Sequence, residues 1–355
     1  MAVRPTLFVT LLLHFGCSEV LVIPDDDDDG GEGGGPPAAT AVSNVAANGA
    51  ASSSSSSGAG GAPVCDSDPC PIAVGFEASD LALDETHVYV TSRDDGLVRR
   101  VSKSGGPVET ITGGGGPAHS LVVMGSWLAW GAETGVWRSD KDNDTSVLLS
   151  SVPGGAHAIT TDGYSVFFSS NAPSGVIGSV GADGGPTEVL VDPAPLAADL
   201  AVQPAAKDWS RLYWVGGHTP GHLQRLYLDG DSAPETLMSG MIRPASLLVM
   251  PEGVWVADVE AGTVSRENPS GGGRLFLVSL DGPRDLAVDD ELLYVTVTGS
   301  GAADGSIVAI GRTRATGTLP IADGLVGPTA IAADEVAIYW IEATPERAVM
   351  RLTKR

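Results

Sequence analysis

Positive charge is scarce in this chain of 355 residues: 20 Lys and Arg stand against 44 Asp and Glu, a formal net charge of −24. Only Lys103, Lys141, Lys207 and Lys354 are lysines, and the arginines are scattered along the chain instead of forming a stripe. Phosphate backbones are held chiefly by clustered cations, so nucleic acid is excluded as a partner. Aromatic residues make up only 5%, and there are three cysteines, Cys17, Cys65 and Cys70. The apolar run Thr6–Phe15 is too short to span a bilayer. No stretch carries a helical period, and no G-x-S-x-G elbow, P-loop or H-E-x-x-H motif occurs. Nucleophilic catalysis therefore has no visible agent. Hydrophobic residues reach 43% and charged ones 18%, while 47 Gly and 24 Pro stay below the level of wholesale disorder. Such a chain can bury a sizeable core.

Arg4 followed by the run to Phe15 reads as a signal peptide over residues 1–16. Leu13-His14-Phe15-Gly16 then leads into Cys17, which resembles the lipobox of bacterial lipoproteins, where a small residue precedes a cysteine that becomes the lipidated N-terminus. Gly16 fits that pattern; His14 and Phe15 depart from it, which leaves cleavage by an ordinary signal peptidase open. The resemblance implies an exported chain that meets the membrane only through a lipid on Cys17, or else is secreted. Residues 17–64, with Asp25–Asp29, Ser52–Ser57 and abundant Gly, Ala and Pro, form a tether with little to bury. Cys65 and Cys70 enclose four residues, a spacing suited to a disulfide in an exported protein. Two thiols without further Cys or His partners make a poor metal site.

The rest of the chain repeats. Seven segments open with a short apolar strand, at Asp80, Ser120, Ala158, Asp199, Ser246, Asp285 and Ala330, at the spacing of roughly 40–50 residues expected of propeller blades. An aromatic and β-branched strand follows each, as in Val88-Tyr89-Val90-Thr91 and Ile338-Tyr339-Trp340-Ile341. A third strand opens after Gly or a turn, and a Gly-, Asp- and Pro-rich hairpin leads to a fourth. The seventh unit stops after three strands, while Pro71-Ile72-Ala73-Val74-Gly75-Phe76 stands ahead of the first unit where a fourth strand would lie. The expected fold over residues 65–355 is therefore all-β: a seven-bladed β-propeller with four strands per blade, its last blade closed by the N-terminal strand. Closure removes the unpaired edge that an open ring would expose.

The first and second strands of each unit resemble those of exported bacterial propellers with YWTD- and NHL-like blade repeats, over Pro71–Arg355. The Gly-His and Trp-Asp pair of tryptophan-aspartate repeats and the paired glycines of kelch repeats are absent. The likeness implies architecture and leaves function open.

Loops that lead into inner strands surround the channel mouth of a propeller. Here they supply Ser79-Asp80, His119-Ser120, His157-Ala158, Ala198-Asp199, Ala245-Ser246, Arg284-Asp285 and Thr329-Ala330. One reading makes Asp80, His119, His157, Asp199 and Asp285 an acidic site for a polar ligand or a divalent cation, with Arg284 balancing the carboxylates or gripping an anion. The other makes each Asp a cap that accepts backbone N–H groups. Asp140-Lys141-Asp142-Asn143-Asp144 begins like a calcium loop, but Thr145 and Ser151 stand where that loop needs Gly and Glu, so a solvated turn is expected. His218 and His222, among Gly and Pro, are expected in a surface loop.

The leading functional expectation is a non-enzymatic, monomeric binding module of the cell envelope, meeting a protein, glycan or small ligand and needing no cofactor. The alternative is an enzyme in the funnel. It would be similar to the streptogramin lyases or propeller lactonases, with His119 or His157 as base and a calcium or magnesium ion on the aspartates.

Overall fold

The computed structural model describes residues 68–354 apart from 144, 171, 173, 195–196, 205–209, 218–219, 269–272, 301–302, 313–316 and 345–346. The signal peptide, Cys17, the tether, Cys65 and His218 lie outside the described residues. Seven four-stranded antiparallel sheets form the blades of a β-propeller, with no helix among the described residues. Their inner strands are Ala78–Leu83, Ala118–Met124, Ala156–Thr161, Ala197–Gln203, Pro244–Met250, Pro283–Val288 and Pro328–Ala333, which open blades 1 to 7 in order. In blade 1 the strands His87–Ser92, Leu97–Ser102 and Glu109–Gly113 follow outward.

Blade 7 has three strands from the C-terminal end of the chain and takes its outermost strand, Cys70–Val74, from the other end. Cys70 pairs with Arg351, Ala73 with Val349 and Val74 with Ala348. Ile72 is fully buried in this seam, and Gly75, at a φ of 93° that favours glycine, turns the chain toward blade 1. Cys70 is buried at the first position of the seam.

The second strands explain the core. Tyr89, Trp130, Phe168, Trp214, Trp255, Tyr294 and Trp340, one from each blade, are all buried. The apolar clusters bridge successive blades: one joins blades 1 and 2 through Tyr89, Leu121 and Trp130, and the largest joins blades 6, 7 and 1 through Tyr294, Trp340, Ile72 and Leu81. Each sheet thus buries its faces against its neighbours, so the ring is held as a whole.

The hairpins after the inner strands carry a second kind of inter-blade bond. Asp84 of blade 1 receives Nζ of Lys141 from blade 2 at 2.8 Å and the hydroxyl of Tyr89 at 2.7 Å. Asp289 of blade 6 receives Lys354 from blade 7 at 2.6 Å and Tyr294 at 2.7 Å. Asp334 of blade 7 is met by Lys103 of blade 1 at 2.7 Å and by Tyr339 at 3.3 Å. These latches fall on three consecutive boundaries around the closing blade. The calcium-like turn belongs to this system, since its Lys141 is the residue that reaches Asp84, while Asp144 lies outside the described residues. His222 stands inside the strand Gly221–Tyr227 and not in a loop, because Gly221 already pairs with Met241 and starts the ladder.

Candidate functional site: the channel mouth

All seven inner strands have the same irregularity at their first residues. The ladder slips between Ala78 and Asp80, Ala118 and Leu121, Ala156 and Ile159, Ala197 and Asp199, Pro244 and Ser246, Pro283 and Leu286, and Pro328 and Ile331. A bulge inserts a residue and re-aims its side chain. The re-aimed residues are Ser79, His119, His157, Ala198, Ala245, Arg284 and Thr329, the first of each pair, and all seven line one cavity of about 290 Å³.

The second member of each pair has a different task. Asp80 accepts the N–H of Leu81 at 2.8 Å and, across the blade boundary, that of Leu121 at 2.8 Å. Asp199 does the same with Leu200 at 2.7 Å and Leu247 at 2.8 Å. Asp285 takes Leu286 and Ile331 at 2.9 Å each and also the hydroxyl of Ser246 at 2.9 Å. Ser120 accepts the N–H of Ile159 at 3.3 Å, a weaker form of the same stitch. The three aspartates are thus caps that sew blade 1 to 2, 4 to 5 and 6 to 7. Asp80 and Asp285 still touch the cavity wall, whereas Asp199 is not among its lining residues.

Burial raises Asp80 well above the usual carboxylate range, against the N–H bond from Leu121, and the nearby Asp285 charge adds to the rise. Burial likewise raises Asp285 to about 6, opposed by the bonds from Ile331 and Ser246. Asp285 therefore keeps most of its charge near pH 7, with both oxygens bonded to backbone N–H groups, and the cations that face the mouth are arginines. Arg93, after the second strand of blade 1, and Arg243, ahead of blade 5, join Arg284 on the cavity wall. Neither was singled out from the sequence, because both lie just outside the repeated pair. Arg243 is held by its own N–H, donated to Asp258 at 2.8 Å, and its guanidinium approaches Glu260 at 3.0 Å. No hydrogen bond or ion pair engages the Arg93 or Arg284 side chain among the described residues. The carboxylates near Arg93 are committed elsewhere: Asp95 to Arg99, and Asp94 and Glu77 to Arg347.

His119 and His157 stand side by side, with ring centroids 5.7 Å apart. Nδ1 of each is buried without a partner among the described residues. Burial lowers the pKa of His119, and the Arg93 charge adds to this. Burial, His119, Arg93 and Arg284 together bring His157 down to about 4. Both rings are therefore neutral near pH 7, each with one donor and one acceptor. Among the described residues no three His, Cys, Asp or Glu side chains gather as metal ligands.

The fold and site define a seven-bladed propeller with a polar, arginine-bearing mouth. No known family model matches the chain, and no curated protein does. It is similar in fold to a puromycin-hydrolyzing peptidase of Mycobacterium tuberculosis, at 16% identity and a TM-score of 0.59, covering 80% of this chain and 52% of that one. A puromycin hydrolase gives 16% identity and a TM-score of 0.57, covering 81% and 52%. The chain thus spans about half the length of those two proteins. The computationally designed protein Ika8 gives 14% identity and a TM-score of 0.55, covering 79% of this chain and 97% of its own. Likeness at this level carries the propeller architecture and nothing of the chemistry.

Proposed function

We propose that the chain is an extracytoplasmic binding module, tethered to the cell envelope through Cys17 or released from it, and that its channel mouth takes a small ligand. The observation that carries this reading is the bulge ring: seven blades each aim one side chain at a single small cavity. Two of those side chains, His119 and His157, keep a buried nitrogen without a partner among the described residues. Buried polar atoms left unpaired are costly, and a bound ligand would offset that cost. A cavity of about 290 Å³ suits a small molecule better than a macromolecular epitope.

The competing reading, a metal-assisted lyase or lactonase-like enzyme, needs Asp80, Asp199 and Asp285 as calcium or magnesium ligands. Each of them already accepts two backbone N–H groups, and arginine faces the space an ion would enter. That donor set favours binding over metal-assisted turnover.

The test is a thermal-shift panel of small acidic, neutral and basic compounds on the whole chain and on Ala245→Trp, which fills the mouth from a wall that is now only a methyl group. A stabilising compound whose effect disappears in Ala245→Trp supports the reading. Stabilisation that ignores the plug, or turnover of a compound without a stable complex, overturns it.

A further inference from the structure

We infer that the ligand of the channel mouth is a small dianion, a dicarboxylate or a phosphate-type oxyanion, gripped by Arg93 and Arg284 with Arg243 beside them. The inference rests on the reading of the mouth as the ligand site and adds the charge and size of what enters.

Charge inversion is the first argument. The chain as a whole carries −24, yet the cavity wall has three arginines against two aspartates whose oxygens are turned into backbone bonds. A protein short of cations has placed two arginines here without hydrogen-bonded or ion-paired partners among the described residues. Both residues are exposed at the open side of the cavity, where a guanidinium can meet acidic oxygens with charge-assisted and often bidentate bonds.

The arginines are also close enough to act together. The Arg93 charge is felt at both His119 and His157, and that of Arg284 at His157 and at Asp285. Two separated cations on one small cavity suit a ligand with two acidic groups. The neutral imidazoles add a donor each, and their unpartnered Nδ1 atoms are the groups such a ligand would satisfy.

Selectivity by size follows from the surroundings. Ala198 and Ala245 leave the blade 4 and 5 side of the ring open, whereas His119 and His157 fill the side of blades 2 and 3. Beyond the mouth, Glu133 is exposed on the hairpin of blade 2, and Asp94, exposed beside Arg93, is paired with Arg347. An extended polyanion exceeds a cavity of about 290 Å³, whereas a small dianion fits within it.

Calorimetry on the whole chain near neutral pH and constant ionic strength tests this, with inorganic phosphate, succinate, citrate, glucose and spermidine as probes. At least one anion is expected to bind, and which of phosphate and the carboxylates binds tighter identifies the source. Arg93→Gln and Arg284→Gln should each weaken binding roughly tenfold or more without changing the melting temperature, and Ala245→Trp should abolish it. Plug-sensitive binding of glucose or spermidine, with none of an anion, overturns the dianion while leaving the mouth a ligand site. Anion binding indifferent to both the plug and the arginine changes marks an adventitious surface ion and overturns both readings. Absence of binding by every anion likewise overturns the inference.

Discussion

The two ends of the inner strands use charge in opposite ways. At the hairpin end, Lys103, Lys141 and Lys354 each close on an aspartate of the neighbouring blade, and a tyrosine completes each contact. At the mouth, Arg93 and Arg284 close on nothing among the described residues, and the aspartates beside them bind backbone. Burial alone would raise Asp289, but Lys354 and Tyr294 outweigh it and draw it down to about 2. Asp285, buried with no lysine, moves the other way, to about 6. Charges that find each other hold a ring together; charges left unmatched among the described residues at the open side of a cavity are available to a ligand.

The largest effect should come from the stitches of the mouth, because they are deepest. Asp285→Ala leaves the N–H groups of Leu286 and Ile331 and the hydroxyl of Ser246 without their acceptor. At about 1–3 kcal/mol for each orphaned buried donor, the expected loss is about 3–5 kcal/mol, read as a fall in melting temperature and midpoint denaturant. A loss under about 1 kcal/mol would mean that the blade 6–7 boundary depends on apolar packing alone.

A smaller effect is expected at the latches. Lys103→Met spans the ring closure and removes an ion pair that is still partly wetted, so about 1–2 kcal/mol is expected. Here pH sharpens the comparison. Asp84, Asp289 and Asp334 all titrate below their ordinary value of 3.8 in the folded chain, so their latches are fully present above about pH 4. Stability from Asp289 is lost as pH falls from there toward about 2. Lys354→Met should flatten that acid limb in a melting-temperature scan, and an unchanged limb would assign acid unfolding to other carboxylates.

Arg284→Gln should change stability by less than about 0.5 kcal/mol, since its exposed side chain holds nothing in place. A larger loss would show that the mouth and the hairpin end share one structural role and would break the contrast between them.

The repeat made the ring legible. Seven apolar starts, seven aromatic second strands and a three-stranded last unit point to a closing strand within Pro71–Phe76, and it lies at Cys70–Val74, because blade geometry demands a partner for the strand Ala348–Thr353. The pairs at the strand starts were legible too, but the division of labour within each pair was not. An alternating pattern assigns faces by parity, and the bulge inserts a residue exactly once per strand at this point, so that His119 faces the channel while Ser120 binds the next blade. Arg93 and Arg243 escaped because turns, and not repeat positions, bring them to the mouth. The latches escaped because Lys141 lies 57 residues from Asp84 and Lys103 meets Asp334 only after the ring has closed.

The subtlest prediction concerns protons at the mouth. Burial and the cations Arg93 and Arg284 hold His119 and His157 neutral, and Arg243, Asp80 and Asp285 are the other ionisable groups on that wall. A bound dianion offsets the arginine field, so both imidazoles titrate higher in the complex than in the free chain, and binding takes up protons as pH falls. Asp285 acts with the same sign, because it loses its negative charge as pH drops through about 6. Affinity referred to the dianionic form of the ligand, after the ligand's own protonation is subtracted, should therefore rise between about pH 7 and about pH 5, by at most about tenfold per pH unit for each proton the protein takes up. His157→Gln should weaken binding at neutral pH, because it replaces one donor to the ligand, and should flatten the profile. A profile equally steep in that variant would move the proton uptake to His119 or the carboxyls of Asp80 and Asp285, and a flat profile in the unaltered chain would place the histidine pair out of reach of the ligand.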